Sequence, residues 1–336
     1  MNSKKVIKNN ELKNFGSVES FAEKARTLLI HQKENWQLLN DGYLNLEKTE
    51  TREFKLNSCI INVQYNPGRI ISSTAKVDEQ SIKERKCFLC RNNLPEEQKA
   101  VQYGSDFLIL ANPFPIFQEH FTISKIKHIP QRIKKSFEDL LNLSKDLGKY
   151  YTVFYNGPEC GASAPDHLHF QACSKNILPF DNEYNFIKEN YTRSAGRNGK
   201  LEVFASKNFS RKFISFESGS KFELLNIFKI FYAGYLRVSA GAAEPKMNII
   251  SSFDNNMWRV IIFPRKKHRP GFYFNDDDSK IIISPAAVDF GGICITPRKE
   301  DFKKITKQNL DEMFNEVSVS AEFFEFLINR CEMYFR

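Results

Sequence analysis

The sequence places two histidines and a glutamine at every second position, in His167-Leu168-His169-Phe170-Gln171. Side chains alternate between the two faces of a β-strand, so a strand here would put His167, His169 and Gln171 on one face, at roughly 6.6 Å per pair. An imidazole can act as a nucleophile or a metal ligand, and an amide can donate to a phosphoryl oxygen. The pattern suits phosphate chemistry, although the polar face of an ordinary strand can show the same spacing.

Two cysteines form the only Cys-x-x-Cys of the sequence, Cys87-Phe-Leu-Cys90. Two thiolates at this spacing can hold one side of a tetrahedral zinc ion, which needs two further ligands. A redox pair and two unrelated structural thiols are the alternatives. Four of the six histidines lie between His120 and His169, in the same half of the chain, and this supply of ligands favours a metal site.

The chain is basic, with a net charge of +9 and clusters of Lys and Arg at residues 83–86, 125–135 and 265–269. Such clusters attract polyanions, and both a nucleic acid and a nucleotide with several phosphates are candidates. A solvated basic surface without a specific partner gives the same pattern. Arg69, at the end of the turn signal Asn66-Pro-Gly-Arg69, and Lys76 beyond it are candidate phosphate contacts.

Periodicity predicts the elements that position these residues. The strand-like run 151–155 precedes the His-x-His-x-Gln segment, and a turn region rich in Gly, Pro and Ser separates them. Two further strands are predicted over 107–111 and 120–128, and a helix follows Ser136 and ends at Gly148. Residues 107–155 are therefore predicted to form three strands, with one helix between the second and the third.

Other segments predict packing rather than chemistry. Residues 18–39 have the pattern of an amphipathic helix, with Ser17 as N-cap, Asp41-Gly42 as stop and His31 on its surface. Residues 192–199 have the composition of a mobile loop, and 221–238 are apolar nearly all round, as in a buried helix. The last segment predicts two amphipathic helices that dock on a sheet.

At 336 residues, the chain is long enough for one large domain or two ordinary ones. The basic N-terminus is not followed by an apolar segment, so no signal peptide is predicted, and no apolar run reaches the length of a membrane span. The seven cysteines are an odd number and are scattered except for one pair. These features predict a cytoplasmic location with reduced thiols and no membrane partner.

Together, these motifs resemble the histidine-triad superfamily, in the branch of galactose-1-phosphate uridylyltransferase, diadenosine tetraphosphate phosphorylase and GDP-hexose phosphorylases. The resemblance covers about a third of the chain, residues 54–175, and implies an α+β fold of two histidine-triad-like halves with antiparallel sheets and packed helices. It predicts an N-terminal half over 1–180 with the zinc site and the nucleophile, and a catalytically silent C-terminal half over 181–336. A weak similarity between 120–128 and 259–268 agrees with an internal duplication.

The resemblance also implies a structural zinc ion. Its ligands would be Cys87, Cys90, His128 and His167, a closed set that suits a structural metal. The metal would clamp the nucleophile strand to two distant loops and so fix the rotamer of His169.

By the same resemblance, His169 attacks the α-phosphorus of a nucleotide and forms a covalent nucleotidyl-histidine. Gln171 and Ser163 would donate hydrogen bonds to the phosphoryl oxygens, and Asn156 would help to hold the nucleotide. One position departs from the uridylyltransferase pattern, in which proline directly precedes the first histidine, because Asp166 lies between Pro165 and His167.

The predicted function is a nucleotidyltransferase or phosphorylase. It would transfer a nucleoside monophosphate from a nucleotide sugar or a dinucleoside polyphosphate to phosphate or a sugar phosphate. The alternative is a zinc-stabilised nucleotide- or RNA-binding protein without turnover, but the intact pair His169 and Gln171 makes nucleic acid the less favoured partner. The sequence does not indicate the base, the sugar, the acceptor or the oligomeric state.

Overall fold

A computed structural model describes residues 3–75, 77–239 and 241–336. Its strands are β1 (Glu50–Leu56), β2 (Cys59–Tyr65), β3 (Ala100–Tyr103), β4 (Phe107–Ala111), β5 (His120–Lys125), β6 (Tyr151–Asn156), β7 (His169–Ser174), β8 (Thr192–Arg197), β9 (Leu201–Ser206), β10 (Ile214–Ser218), β11 (Met247–Asp254), β12 (Met257–Pro264) and β13 (Ile293–Thr296). Its α-helices are α1 (Asn9–Leu12), α2 (Phe21–Asn35), α3 (Gln37–Leu46), α4 (Ile70–Ser73), α5 (Glu79–Glu84), α6 (Phe137–Leu147), α7 (Pro179–Tyr191), α8 (Lys221–Val238), α9 (Ala287–Phe290), α10 (Lys299–Lys304), α11 (Lys307–Val317) and α12 (Ala321–Glu332).

Ten of the strands within these described ranges form one sheet, in the order β3-β4-β5-β7-β6-β11-β12-β10-β9-β8. Read inward from its two edges, each half has the same order, with the fifth strand of the half inserted between its third and fourth. A helix connects the third strand to the fourth in both halves, α6 in the first and α8 in the second. The repeat confirms the predicted α+β fold with an internal duplication.

The two halves meet at an antiparallel pair of strands, β6 and β11, which register from Asn156 opposite Asn248 to Val153 opposite Ser251. The sheet is therefore continuous from one half to the other. The predicted boundary between residues 180 and 181 lies within α7 and stays a prediction.

The topology corrects one part of the predicted repeat. The sequence similarity matches residues 120–128 with 259–268, which would make β12 the counterpart of β5. In the sheet, β12 lies between β10 and β11, as β7 lies between β5 and β6, so its counterpart is β7. An apolar strand followed by basic residues is too common a pattern to identify the matching strand.

Helices and a small second sheet cover the two faces of the large sheet. Buried residues of α2, α3, α6, α8 and α12 form one core with the first face. The second face packs against the three-stranded sheet β1-β2-β13 and against α7 and α11. Strand β13, near the C-terminus, pairs in parallel with β2, near the N-terminus, so both ends of the chain build this layer.

The predicted helix over 18–39 is two helices, α2 and α3, with a break at Trp36. The N-cap of α2 is Ser20, which forms a capping box with Glu23, and Ser17 instead donates to the Glu23 carboxylate. Gly42 does not stop the helix, because α3 continues through it to Leu46. Composition alone does not distinguish a stop glycine from a helix glycine that is in contact with another segment.

Two smaller expectations are also wrong. His31 is buried within α2 rather than exposed, and its ring packs edge-on against Phe15. Residues 192–197 are the edge strand β8, which pairs with β9 around an irregularity between Ser194 and Gly196. Residues 192–197 form a strand because they pair with β9, and the composition of 192–199 does not reveal that pairing. The other elements named from the sequence are present, including α6, α8, α11 and α12.

Within the described ranges, no helix has both the length and the apolar character needed to cross a membrane.

Candidate active site

His169 is the first residue of β7, which lies between β5 and β6 in the sheet, and it is buried. Its Nδ1 atom lies 2.8 Å from the backbone carbonyl oxygen of His167. Because a carbonyl oxygen only accepts hydrogen bonds, Nδ1 carries the proton and Nε2 keeps a free lone pair. Burial lowers the pKa of His169 to about 4, so the ring is neutral at pH 7. A neutral imidazole with a free Nε2 is the form that can act as a nucleophile.

The side chain of His169 lines a cavity of about 610 Å³. Its lining includes residues of β4, β6 and β7, residues from 69–75 and 81–89, and residues of the loop 284–289. The cavity therefore draws on both halves of the chain and is large enough for a nucleotide.

Gln171 lines the same cavity, and His120 fixes the orientation of its side-chain amide. The backbone N–H of Ile116 donates to His120 Nδ1 over 3.2 Å, so the His120 proton is on Nε2. This Nε2 lies 2.9 Å from the side-chain oxygen of Gln171 and donates to it. The amide NH₂ of Gln171 is then the end available to donate to a ligand.

Gln131 is a residue that the sequence analysis missed. Its side-chain NH₂ donates to the backbone oxygens of Asn156 and His169, each over 2.9 Å, and its side-chain oxygen accepts from the His169 N–H over 2.8 Å. The side chain is fully buried and ties the end of β6 to the start of β7. A lone glutamine in a loop carries no motif, so only the three-dimensional contacts identify it.

The structure places three of the four predicted substrate-binding residues at the cavity. Ser163 and Arg69 line the cavity with His169, and burial lowers the pKa of Arg69 to about 10, which leaves it charged at pH 7. Lys76 lies outside the described residues.

Asn156 lines the cavity too, but its side-chain oxygen is already occupied. It accepts from Asn248 Nδ2 and from the backbone N–H of Ala287, both over 2.8 Å. Asn156 therefore joins the end of β6 to β11 and to the loop 284–289, a role that supports the wall of the cavity.

The four predicted metal ligands, Cys87, Cys90, His128 and His167, come together beside the cavity, and their ligand atoms lie within 4.8 Å of one another. Cys87 Sγ is 3.2 Å from His167 Nδ1, and Cys90 Sγ is 3.1 Å from His128 Nδ1. Adjacent ligands of a tetrahedral zinc ion lie about 3.5 Å apart when its bonds are about 2.0–2.3 Å long. The donor set and its spacing fit a tetrahedral metal.

The atoms around the cluster also suit a metal. His167 Nε2 lies 2.6 Å from the Lys125 carbonyl oxygen and donates to it, which leaves His167 Nδ1 as the ligand atom. Burial and the neighbouring Cys87 raise the pKa of Cys90 to about 11, and a bound cation would reverse this effect by favouring the thiolates. All seven cysteines are free thiols.

One expectation about this segment needs correction. β7 begins at His169, so His167 lies in the turn before the strand and not on the strand face that carries His169 and Gln171. Since the two histidines belong to different local structures, one contributes to the metal cluster and the other faces the cavity.

Asp166, the residue that departs from the uridylyltransferase pattern, contacts both sites. One carboxylate oxygen accepts from Arg85, and the other lies 3.7 Å from His128 Nε2. Arg85 itself lines the cavity. Asp166 stands out in the sequence because it interrupts the Pro-His pattern of the uridylyltransferases, whereas no sequence feature points to Arg85 as its partner.

Comparison with known proteins identifies two adjacent domains. Residues 28–174 match the family model "Domain of unknown function (DUF4922)", and residues 186–334 match "GDPGP1-like, C-terminal domain". No curated protein matches the sequence.

Solved structures of one enzyme, yeast Ap4A phosphorylase Apa2, show the fold. The crystal structure of yeast Ap4A phosphorylase Apa2 is 15% identical and covers 85% of this chain and 95% of its own, with a TM-score of 0.51. The same enzyme in complex with AMP gives a TM-score of 0.52 at 15% identity and covers 85% of this chain and 97% of its own. A uridylyltransferase mutant is 12% identical over 85% of this chain and 99% of its own, at a TM-score of 0.39.

The fold and the residues that it brings together define the class. The chain has the fold of the histidine-triad branch that the sequence resembles, and the predicted recognition is confirmed. Within that class, its C-terminal half carries the GDPGP1-like domain. The enzyme class predicted from the sequence, a nucleotidyltransferase of the phosphorylase type, agrees with these matches.

Proposed function

We propose that this chain is a nucleotidyltransferase that forms a covalent nucleotidyl-His169 and passes the nucleotide to a phosphate-bearing acceptor. The observation that carries the proposal is the bond from His169 Nδ1 to the His167 carbonyl oxygen, which leaves Nε2 unprotonated at the wall of the cavity. The donor would be a nucleotide sugar or a dinucleoside polyphosphate, and the acceptor phosphate or a sugar phosphate.

In the first step, His169 Nε2 attacks the α-phosphorus, the bond from phosphorus to the bridging oxygen breaks, and that oxygen leaves with its electron pair as part of a phosphate group. The proton stays on Nδ1, where the His167 carbonyl holds it. Gln131 fixes the backbone of His169 through both its N–H and its C=O, so the ring needs little reorientation.

Charge that develops on the non-bridging oxygens needs donors at fixed positions. The NH₂ group of Gln171 is directed toward the ligand because His120 occupies its oxygen. Ser163 and Arg69, which line the same cavity, would supply a hydroxyl and a guanidinium. None of these groups has to gain or lose a proton during the reaction.

We further propose that the metal cluster holds a structural zinc ion through Cys87, Cys90, His128 and His167. When bound, zinc would supply rigidity, because it links the turn before β7 to the segments around 87–90 and 128. Metal analysis should find one zinc per chain, and Cys87→Ser should lose it. Cys331→Ala, a change in α12 away from the cluster, should keep the metal. Freshly purified protein without zinc would contradict this assignment.

The C-terminal half over 181–336 is proposed to be catalytically silent. Its strand β12 is the counterpart of β7, and on the same face of the sheet it carries the apolar side chains of Ile261 and Phe263. It contributes to the reaction by closing the cavity with residues such as Ser284 and Val288.

Labelling tests the proposal. The protein is incubated with α-³²P-labelled nucleoside triphosphates, nucleotide sugars and diadenosine tetraphosphate, and the expected product is an acid-labile, base-stable label on the protein. His169→Asn is the matched variant, because an asparagine amide can still donate to the His167 carbonyl but offers no nucleophilic nitrogen. It should remain unlabelled, with unchanged circular dichroism and zinc content. Wild-type protein that stays unlabelled with every nucleotide, or a labelled His169→Asn, would overturn the proposal.

A further inference from the structure

The guanidinium of Arg85 is one of the cationic groups that line the cavity, and only part of it is paired. Its Nη2 donates to Asp166 over 2.5 Å. Its Nη1 is buried and has no hydrogen-bond partner among the described residues. A buried N–H of a cation without an acceptor is unfavourable, and native proteins rarely leave one. The Arg85 side chain as a whole is 25% exposed, so a ligand in the cavity can supply the missing acceptor once the guanidinium turns toward it.

The surroundings of Arg85 indicate an anion. Asp166 occupies one edge of the guanidinium, and the ring of Phe88 lies 5.2 Å from its central carbon. These two contacts hold the guanidinium at the cavity wall, with only one of its two terminal nitrogens paired. A guanidinium held in this way can bind phosphate oxygens with a defined geometry.

Arg85 lines the same cavity as the reacting groups. Its partner Asp166 is three residues after Ser163 and three before His169, and both of these residues line the same cavity. Arg69, the other cavity arginine, is near His120 and Asp289, since its charge lowers the pKa of His120 and Asp289 raises the pKa of Arg69. The two cations therefore contact different groups of the cavity wall.

We propose that Arg85 binds the phosphate group of the second substrate, the acceptor that attacks nucleotidyl-His169, and that Asp166 is the positioning residue that holds Arg85 in place. The inference rests on the proposed function and adds a residue that selects an acceptor carrying a phosphate dianion. Inorganic phosphate and a hexose 1-phosphate share this chemistry.

Arg85 would assist the second step, in which the acceptor releases the nucleotide from His169. An oxygen of the acceptor phosphate forms a bond to the α-phosphorus, the bond from phosphorus to Nε2 breaks, and its electron pair returns to Nε2. His169 is regenerated with its proton still on Nδ1, and the product contains a new pyrophosphate bond. Arg85 neutralises charge on the incoming phosphate and exchanges no proton.

The experiment isolates this second step. Wild type and Arg85→Met are labelled with nucleotide, freed of excess nucleotide by desalting, and mixed with increasing inorganic phosphate or, in a separate arm, hexose 1-phosphate. Arg85→Met should need about 10- to 100-fold more phosphate for half-maximal release, the effect expected for losing a charge-assisted hydrogen bond. Release into water alone should be unchanged, since no anion binds in that reaction. The arm with the lower half-maximal concentration identifies the acceptor.

Three further variants separate binding from structure. Arg85→Lys, which keeps the charge, should recover part of the phosphate response, and Asp166→Asn should raise the half-maximal phosphate concentration by a smaller factor while zinc content stays at the wild-type level. Arg193→Met removes an arginine from the edge strand β8 and should behave as wild type. If Arg85→Met releases label at the same phosphate concentrations as wild type, the inference is wrong while the proposed function stands.

A direct binding measurement tests the phosphate site even if the proposed function is wrong. If wild type forms no label, calorimetric titration of unlabelled protein with inorganic phosphate decides the role of Arg85 without turnover. A Kd raised about 10- to 100-fold by Arg85→Met supports the phosphate site. Equal affinity in the two proteins overturns it.

Discussion

Backbone groups define the proton positions of two histidines and the orientation of one glutamine in the site. The Ile116 N–H fixes the proton of His120 on Nε2, His120 fixes the amide of Gln171, and the His167 carbonyl fixes the proton of His169 on Nδ1. Each orientation follows from a backbone group that can only donate or only accept. The site is thereby set for a neutral nucleophile and a neutral donor before any substrate binds.

His120 gives this arrangement a measurable pH dependence. Burial, and then the charge of Arg69, lowers the pKa of His120 to about 3, whereas an unfolded histidine titrates near 6.5. Between these values the unfolded chain binds a proton that the native protein does not, so stability falls as the pH drops below about 6.5. Above that pH the group makes no pH-dependent contribution.

We therefore expect the free energy of unfolding of wild type, relative to His120→Gln, to be constant above pH 7 and to decrease by about 2 kcal/mol from pH 6.5 to 5, at about 1.4 kcal/mol per pH unit. Glutamine does not titrate, and other groups cancel in the difference. Urea denaturation at each pH supplies the two values. A difference that does not change with pH would show that His120 binds a proton as readily in the native protein as in the unfolded chain.

At the scale of elements, α3 supports the cavity through its glycine. A Cβ atom at Gly42 would lie 2.2 Å from the carbonyl oxygen of Pro113, in the turn between β4 and β5. Pro113 and Phe114 of that turn line the cavity. The glycine allows the helix to approach the turn closely, and so the position of the turn depends on the absence of a side chain at residue 42.

Gly42→Ala should destabilise the protein by about 2 kcal/mol, as overpacking against backbone does. At an exposed helical site the same change would stabilise by up to about 1 kcal/mol, so the sign of the effect tests the contact. Gly271→Ala is the control, because its nearest neighbour is the flexible carboxylate of Glu316 at 3.3 Å, and a change within about 0.5 kcal/mol is expected. Urea denaturation of both variants measures the effects. A stabilised Gly42→Ala would mean that α3 does not touch the turn.

At the scale of the whole molecule, the two halves are joined by shared sheets and a shared core, and not by a simple interface between two separate domains. The sheet crosses from β6 to β11, and β13 completes the sheet of β1 and β2. Trp258, on β12, donates from Nε1 to the carbonyl oxygen of Leu141, on α6 of the other half. One core contains residues from both halves. Unfolding one half would therefore expose much of the other.

The two tryptophans test this coupling, because Trp36 lies in the N-terminal half and Trp258 in the C-terminal half. The variants Trp36→Phe and Trp258→Phe each keep one reporter, and both reporters are buried in the core that the halves share. Within each variant, urea unfolding followed by fluorescence and by circular dichroism should give coincident transitions. A fluorescence transition that separates from the circular dichroism transition would show that the halves unfold independently.

Much of the candidate site can be predicted from the sequence because its residues are encoded by short spacings. The segment around His169 and Gln171 and the pair Cys87 and Cys90 are each local, and local spacing restricts which chemistry is possible. The strand and helix patterns that carry them are also local, since periodicity reports which face of an element is buried. These signals carry the family resemblance, and the resemblance supplied the fold class and the four residues of the metal cluster.

The tertiary structure alone decided the contacts between segments far apart in the chain. Gln131 at the nucleophile strand, Arg85 beside Asp166, Gly42 against Pro113 and β13 beside β2 all depend on how the elements pack. Their residue types are ordinary, and nothing near them in the chain distinguishes them from other residues of the same kind. A sequence specifies such contacts only through the combined packing of the whole core, because the partners are brought together by many weak interactions and not by a local pattern.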